Sequence, residues 1–282
     1  MTSDADPPRL QSLGRGLQAL SLLVHADRAL SASEVGRRLG VHQTTASRIL
    51  ADLVTLGYAH RVGPHAFGPD FGLLALGLES SKHFALLARP RAAMEWAGRR
   101  CPGLTVSLCL WWRDELLYFD QTVDGLDTQL FSGRGYPMHL SSPGLLFLLQ
   151  LPEAAAMSAL ATSRERFGWA RPTPAVPASE ADLLAAARRR LQLDTLVLPD
   201  WQNEGHTTGA VVLGAYRGHS LALTLAGPGD VMTTGSLRRR LHEIRGPVAD
   251  TLVDLTRPVA PPTPYRGLRM VGRRRQRQAK QG

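Results

Sequence analysis

The chain has 282 residues, 44% of them hydrophobic and 20% charged, and a formal net charge of +9. That length accommodates two ordinary domains, and no apolar run approaches the ~18 residues needed to cross a bilayer. The opening MTSDADPPRL has neither the basic start nor the apolar core of a secretory signal. A cytoplasmic chain with no membrane partner is expected, and Cys101 and Cys109 read as small core residues of a reducing compartment.

The basicity is local. From Arg257 onward there are eight Lys or Arg and no acid, so this segment carries +8 and everything before it balances to +1. Residues 258–282 are expected to be a disordered basic tail able to add non-specific phosphate contacts. Residues 1–12 are likewise expected to be disordered.

Within 13–25, Leu13, Leu17, Leu20 and Val24 recur at helical spacing and predict an amphipathic first helix with that stripe inward. Ser31 and Glu34 then stand three apart, the reciprocal cap that opens a helix. Gly40 ends that helix in a sharp left-handed turn, and Gly36 leaves room for a second helix to cross closely. The second helix follows with Ala46, Ile49, Leu50, Leu53 and Leu56 as its apolar stripe. A capped short helix, a Gly turn and a longer helix make a helix-turn-helix. Its exposed front carries Gln43, Thr44, Thr45, Ser47 and Arg48, residue types that read base edges when placed at the start of a recognition helix. A hairpin through Val62, Gly63-Pro64 and Phe67 forms a wing whose tip residues, Arg61 and His65, could touch the DNA backbone or minor groove.

From 70 to 101 the pattern is helical with one interruption. Beyond Gly103 the period becomes two: Val106, Leu108, Leu110 and Trp112 alternate with Thr105, Ser107, Cys109 and Trp111, predicting one dry face. A hairpin partner, LLYFDQTV, and a further strand near TQLFS follow. Ser142 before Pro143 predicts a helix start with Ser142 as the cap. Helices are expected near 152–161 and 179–192, then strands TGAVVLGAY and HSLALTLAG around an Arg217-Gly218 turn. A last helix carries Leu237, Leu241, Ile244, Val248, Leu252 and Leu255, kinked at Gly246-Pro247. Strands flanked by helices predict an α/β (α+β) domain. No HExxH, Gly-rich phosphate loop or GxSxG occurs. His139 and Ser141 lie close together, but no convincing nucleophile–base–orienter set joins them. No catalytic residue, metal or cofactor is expected, and an enzyme is the least favoured class.

The order from the first helix through LSASEVGRRLGVHQTTASRILADLVTLGYAHR to FGPDFGLLALG resembles the IclR-type bacterial transcriptional regulators, over about residues 13–256. The resemblance implies a winged helix-turn-helix over 13–69, linker and dimerisation helices over 70–101, and a GAF-like effector-binding α/β domain over 102–257. It implies double-stranded operator DNA, a second or fourth copy of the chain and a small organic effector as partners. Against the family phrase PLHATAxGKALLA this chain has PMHLSSPGLLFLL. The implied effector positions are Ser141, Ser142, Pro143, Asp200, Thr208, Thr224 and Ala226. Leu145 stands where Lys is usual, Thr208 where Cys is frequent, Ala226 where Ser is frequent, and Pro143 removes a backbone N–H from the helix start. With Trp111, Trp112, Phe119 and Trp201 nearby in sequence, these departures point to a larger, aromatic or apolar effector, or to a pocket that binds nothing. The alternative is a ligand-independent architectural protein that binds DNA through the winged domain and tail.

Overall fold

A computed structural model describes residues 11–257 apart from 114, 124–125, 128–135 and 254–255. The expectations for residues 1–10, the TQLFS strand, Leu255 and the tail from 258 lie outside the described residues. The chain divides into two compact units, with the boundary after His83.

In the N-terminal unit, α1 (Gln11–Val24), β1 (Leu30–Ser31), α2 (Ala32–Leu39) and α3 (Gln43–Thr55) precede β2 (Ala59–Val62), β3 (Ala66–Pro69) and α4 (Phe71–Ser81). The strands form a small sheet in the order β1-β3-β2. Ala19, Leu23, Leu30, Val35, Ala46, Leu50, Leu53 and Phe67 make its core. The expected α1 stripe is corrected: Leu13 and Leu17 are 58% and 59% exposed, and Ala19 and Leu23 are buried instead. Leucines lie on several sides of α1, so spacing alone could not select the inward face. Leu56, expected in the α3 stripe, is the exposed C-cap residue of that helix. α4 buries none of its residues, and Phe71, Leu74, Leu76 and Leu78 are exposed on it.

In the C-terminal unit, α5 (Ala85–Ala88) and α6 (Arg91–Arg100) lead into β4 (Thr105–Trp112), β5 (Glu115–Val123) and β6 (Leu126–Asp127). A 3₁₀ turn (Met138–Leu140) precedes α7 (Ser142–Leu148), α8 (Glu153–Phe167) and α9 (Glu180–Arg190). Then come β7 (Leu191–Gln192), β8 (Thr195–Pro199), β9 (His206–Tyr216), β10 (His219–Pro228), α10 (Thr234–Asp250) and β11 (Thr256–Arg257). The sheet runs β6-β5-β4-β10-β9-β8-β7, with β11 on β9 and antiparallel neighbours throughout. Of these strands, β6, β7, β8 and β11 escape the sequence reading.

The single dry face expected for β4 is also corrected, because this sheet is covered on both sides. Val106 and Leu108 pack with Met94, Leu241 and Ile244 of α6 and α10. Cys109 packs with Leu145, Leu148, Leu160 and Leu183 of α7, α8 and α9. Both cysteines are therefore core residues with no disulfide. Burial raises the Cys101 thiol to about 11 and raises Cys109 as well, so neither is a ready thiolate. α10 runs through Pro247 to Asp250, and Leu252 is buried just beyond it.

Candidate nucleic-acid interface and ligand face

The helix-turn-helix is held by local chemistry. The Ser31 hydroxyl accepts from Glu34 N at 3.2 Å, and Glu34 accepts from Ser31 N at 2.9 Å. Gly40 has φ +66 and closes α2. A Cβ on Gly36 would meet Val41 O at 3.0 Å and Ala46 Cβ at 3.5 Å, so a larger residue would push the turn and α3 outward by a few tenths of an ångström. Glu34 also binds Arg28. Its bond to Arg28, then those from the Ser31 backbone and hydroxyl, hold the Glu34 carboxyl down at about 2. Because the folded value lies below the unfolded one, this contribution to stability is complete above the ordinary value of 4.5 and is lost as pH falls towards 2. The expected result is that Glu34→Gln flattens the acid limb of the N-terminal unit's melting curve between those pH values. Parallel limbs for variant and wild type would refute it.

α3 begins at a cap that sequence reasoning missed. His42 Nδ1 accepts from Thr44 N at 3.4 Å and lies 3.0 Å from Thr44 Oγ1. His is an unusual N-cap, so composition gives no signal. It engages the Thr44 hydroxyl, while the Gln43 and Arg48 side chains stand exposed and Thr45 and Ser47 are half-buried. A cavity of about 240 Å³ is lined by Ser31, Ser33, Gln43, Ser47, Arg61 and His65, with Ala32, Pro64 and Phe67. Four of the seven nominated DNA-contacting residues thus share one concavity between the start of α3 and the wing, joined by the unanticipated Ser33 at the start of α2. Gly63 turns the wing at φ +67, and the Arg61 guanidinium lies 5.0 Å from the centre of the Phe67 ring, which positions it.

In the C-terminal unit, register brings three nominated residues side by side. Ala226 pairs with Thr208, and Thr224 pairs with both Ala210 and Ser107. A Cβ on Gly209 would strike Leu237 of α10 at 2.3 Å, so the alternate residues Thr208 and Ala210 point to the α7 side. α7 packs over β8, β9 and β10. Its cap is Ser141 rather than Ser142: Ser141 Oγ accepts from Gly144 N at 3.2 Å and lies 3.1 Å from Tyr118 Oη. The extended backbone of Ser141 lets its hydroxyl reach that N–H, and Pro143 sits inside the first turn, where its missing donor costs nothing. Ser142, Pro143 and Leu145 are buried. The Thr208 hydroxyl is buried with no partner among the described residues. Ser107 and Tyr118 belong to this face too and were not nominated.

Asp200 stands apart from this group. Its Oδ1 accepts from Gly205 N at 2.7 Å. It lines a cavity of about 750 Å³ with Thr207, Asp230, Met232, Thr233 and Thr234, and no other nominated effector position lines that cavity. The four aromatics form no common wall either. Phe119 packs with the residues of α6 and α10. Trp111 stacks on Phe147 at 6.1 Å, Trp112 is 39% exposed beside Arg113, and Trp201 is fully buried. His139 bonds Ala170 O at 2.8 Å and stacks on Trp169 at 4.4 Å, so neither contact joins it to Ser141.

With this geometry in view, a sequence model of the IclR helix-turn-helix domain matches residues 12–63. The chain carries an IclR helix-turn-helix domain. Its fold along nearly its whole length is that of IclR regulators. The crystal structure of an IclR family transcriptional regulator from Brucella abortus superposes with a TM-score of 0.72 at 20% identity, covering 89% of this chain and 95% of that one. An IclR transcriptional regulator from Alicyclobacillus acidocaldarius gives 0.63 at 20% identity, covering 85% and 98%. An IclR homologue from Microbacterium hydrocarbonoxydans complexed with 4-hydroxybenzoate gives 0.61 at 22% identity, covering 86% and 99%. No curated protein sequence matches the chain. An IclR-type helix-turn-helix binds DNA, and among the described residues no helix is long and apolar enough to cross a membrane.

Proposed function

We propose that the chain is a sequence-specific transcriptional regulator that binds operator DNA through Gln43, Thr44, Thr45, Ser47 and Arg48, with Arg61 and His65 on the flanking backbone, and that a small organic effector modulates this binding. The observation that carries the reading is the concavity shared by Gln43, Ser47, Arg61 and His65, which joins the start of the recognition helix to the wing. Wing contacts hold the register while the helix start reads bases. One recognition helix covers a half-site, so the working form is a homodimer or a dimer of dimers. The apolar exposed side of α4 supports this, because such a helix gains stability when a second copy covers it.

The effector site is the α7-facing patch of Ser141, Ser142, Thr208, Thr224 and Ala226. Its support is the unpartnered, buried Thr208 hydroxyl, a donor and acceptor that a ligand could satisfy. The Microbacterium hydrocarbonoxydans homologue, complexed with 4-hydroxybenzoate, suggests small aromatic acids as first candidates. An effector shifts operator occupancy only by preferring one of two protein states.

One titration tests both halves of the reading. Operator-containing duplex is selected from a random pool, and its binding by the full chain is measured with and without 4-hydroxybenzoate and related acids. Arg48→Ala or Gln43→Ala is expected to weaken operator binding by about 1–3 kcal/mol for each base interaction removed, while binding to random duplex changes little. Both variants matching wild type would remove the recognition face. An affinity unmoved by every acid tried would remove aromatic acids as the effector class.

A further inference from the structure

The C-terminal unit has a basic edge that the recognition face does not use. α9 ends in Arg188, Arg189 and Arg190, and the chain turns at once into the short edge hairpin of β7 and β8. Alongside it runs one side of α10: Arg238 Nη2 donates to Arg190 O at 3.3 Å, His242 Nε2 lies 3.1 Å from Thr195 Oγ1, and Arg245 pairs with Asp194. Arg239 lies exposed beside Arg238.

This edge holds more guanidiniums than its carboxylates offset. Glu153 pairs with Arg188 and Asp194 with Arg245, but Arg189, Arg190, Arg238 and Arg239 pair with no carboxylate among the described residues. Arg190 is partly covered, its guanidinium 5.2 Å from the centre of the Trp201 ring, and Arg238 Nε is buried with no hydrogen-bond partner. Partly burying unpaired guanidiniums is costly unless an anion compensates. Burial lowers the pKa of both arginines accordingly. Because the residues before Arg257 carry a balance of only +1, this edge is a true local excess.

The geometry points to phosphate groups of duplex DNA as the compensating anions: we infer that the edge formed by Arg189, Arg190, Arg238 and Arg239 is a second, sequence-independent DNA contact. Arg189 and Arg239 are exposed, so the edge can meet an extended partner across open surface. A forked guanidinium suits phosphate oxygens. This inference rests on the DNA-binding reading, since the N-terminal unit brings the duplex to the protein.

The test uses the full chain and two duplexes, the selected operator and one of random sequence, titrated with salt. Arg189→Gln with Arg239→Gln removes two exposed charges and touches no core residue. The expected result is a log K against log salt slope shallower by about 0.9 for each phosphate no longer engaged, up to about 2, equally on both duplexes, with an unchanged melting temperature. Arg99→Gln with Arg100→Gln, which removes the same charge from the end of α6, is expected to leave the slope alone. An unchanged slope in the edge variant, or an equal decrease in the α6 pair, overturns the inference while leaving the recognition face standing. A changed sedimentation profile with an intact slope would make the edge a subunit contact and overturn it as well. Wild type that binds neither duplex at low salt would overturn the edge and the DNA-binding reading together.

Discussion

Trp201→Ala is expected to destabilise the C-terminal unit by about 3–5 kcal/mol, the range for truncating a large aromatic in a core. Trp201 is fully buried, and its indole N–H donates to His139 O at 2.8 Å. Arg190 covers one side of the ring, Thr173 Oγ1 donates to Trp201 O at 3.3 Å, and the next residue, Gln202, donates to Leu140 O at 2.9 Å. The indole therefore fastens the 3₁₀ turn that delivers Ser141 to the start of α7. Alanine would leave a large void and orphan the His139 carbonyl. Trp201→Phe refills most of the void but still lacks the donor, for which about 1–3 kcal/mol is expected. The two values, from denaturant unfolding of the C-terminal transition, should rank alanine well below phenylalanine. An alanine variant within about 1 kcal/mol of wild type would mean that the ring is not core.

The surroundings of Trp201 also mark where the sequence was legible. Much that depends on a few neighbouring residues could be read directly: the Ser31–Glu34 box, the Gly40 turn, the wing at Gly63 and the Arg217-Gly218 hairpin all stand as their local chemistry requires, although the α7 cap falls on Ser141 rather than Ser142. What depends on a partner distant in sequence could not. The inward side of α1 is decided by what packs on it, and α1 offers leucine on several sides. β4 alternates correctly, but alternation does not say that a second helical layer covers the polar half. Trp201 lies near the nominated residues in sequence, but only the fold shows that its N–H is committed to His139 O. Thr208, Thr224 and Ala226 were nominated through family resemblance, and antiparallel register makes them neighbours. Asp200, nominated in the same way, lies on a separate cavity, because the chain turns there at φ +53 with its carboxylate bonded to Gly205 N. The His42 cap had no compositional signal.

Leu50→Ala should abolish DNA binding without altering a single candidate DNA-facing side chain. Leu50 is fully buried at the centre of the N-terminal core, among Ala19, Leu23, Val35, Leu53 and Phe67. Truncating such a leucine costs about 2–5 kcal/mol. A unit this small has a total stability of the same order, since domains of about 60 residues bury proportionally less surface. The folded fraction should therefore fall steeply, and apparent operator affinity should fall with it, because only folded protein binds. Arg48→Ala is expected to make the opposite case, removing the proposed base interaction while the unit keeps its melting temperature. Leu50→Met conserves volume and should cost less than about 1.5 kcal/mol, leaving binding near wild type. Cooling should restore part of the Leu50→Ala binding and leave the Arg48→Ala defect as it is. If Leu50→Ala instead melts and binds like wild type, α3 is not held by this core, and the exposure of Gln43 and Arg48 would no longer follow from the burial of the opposite face.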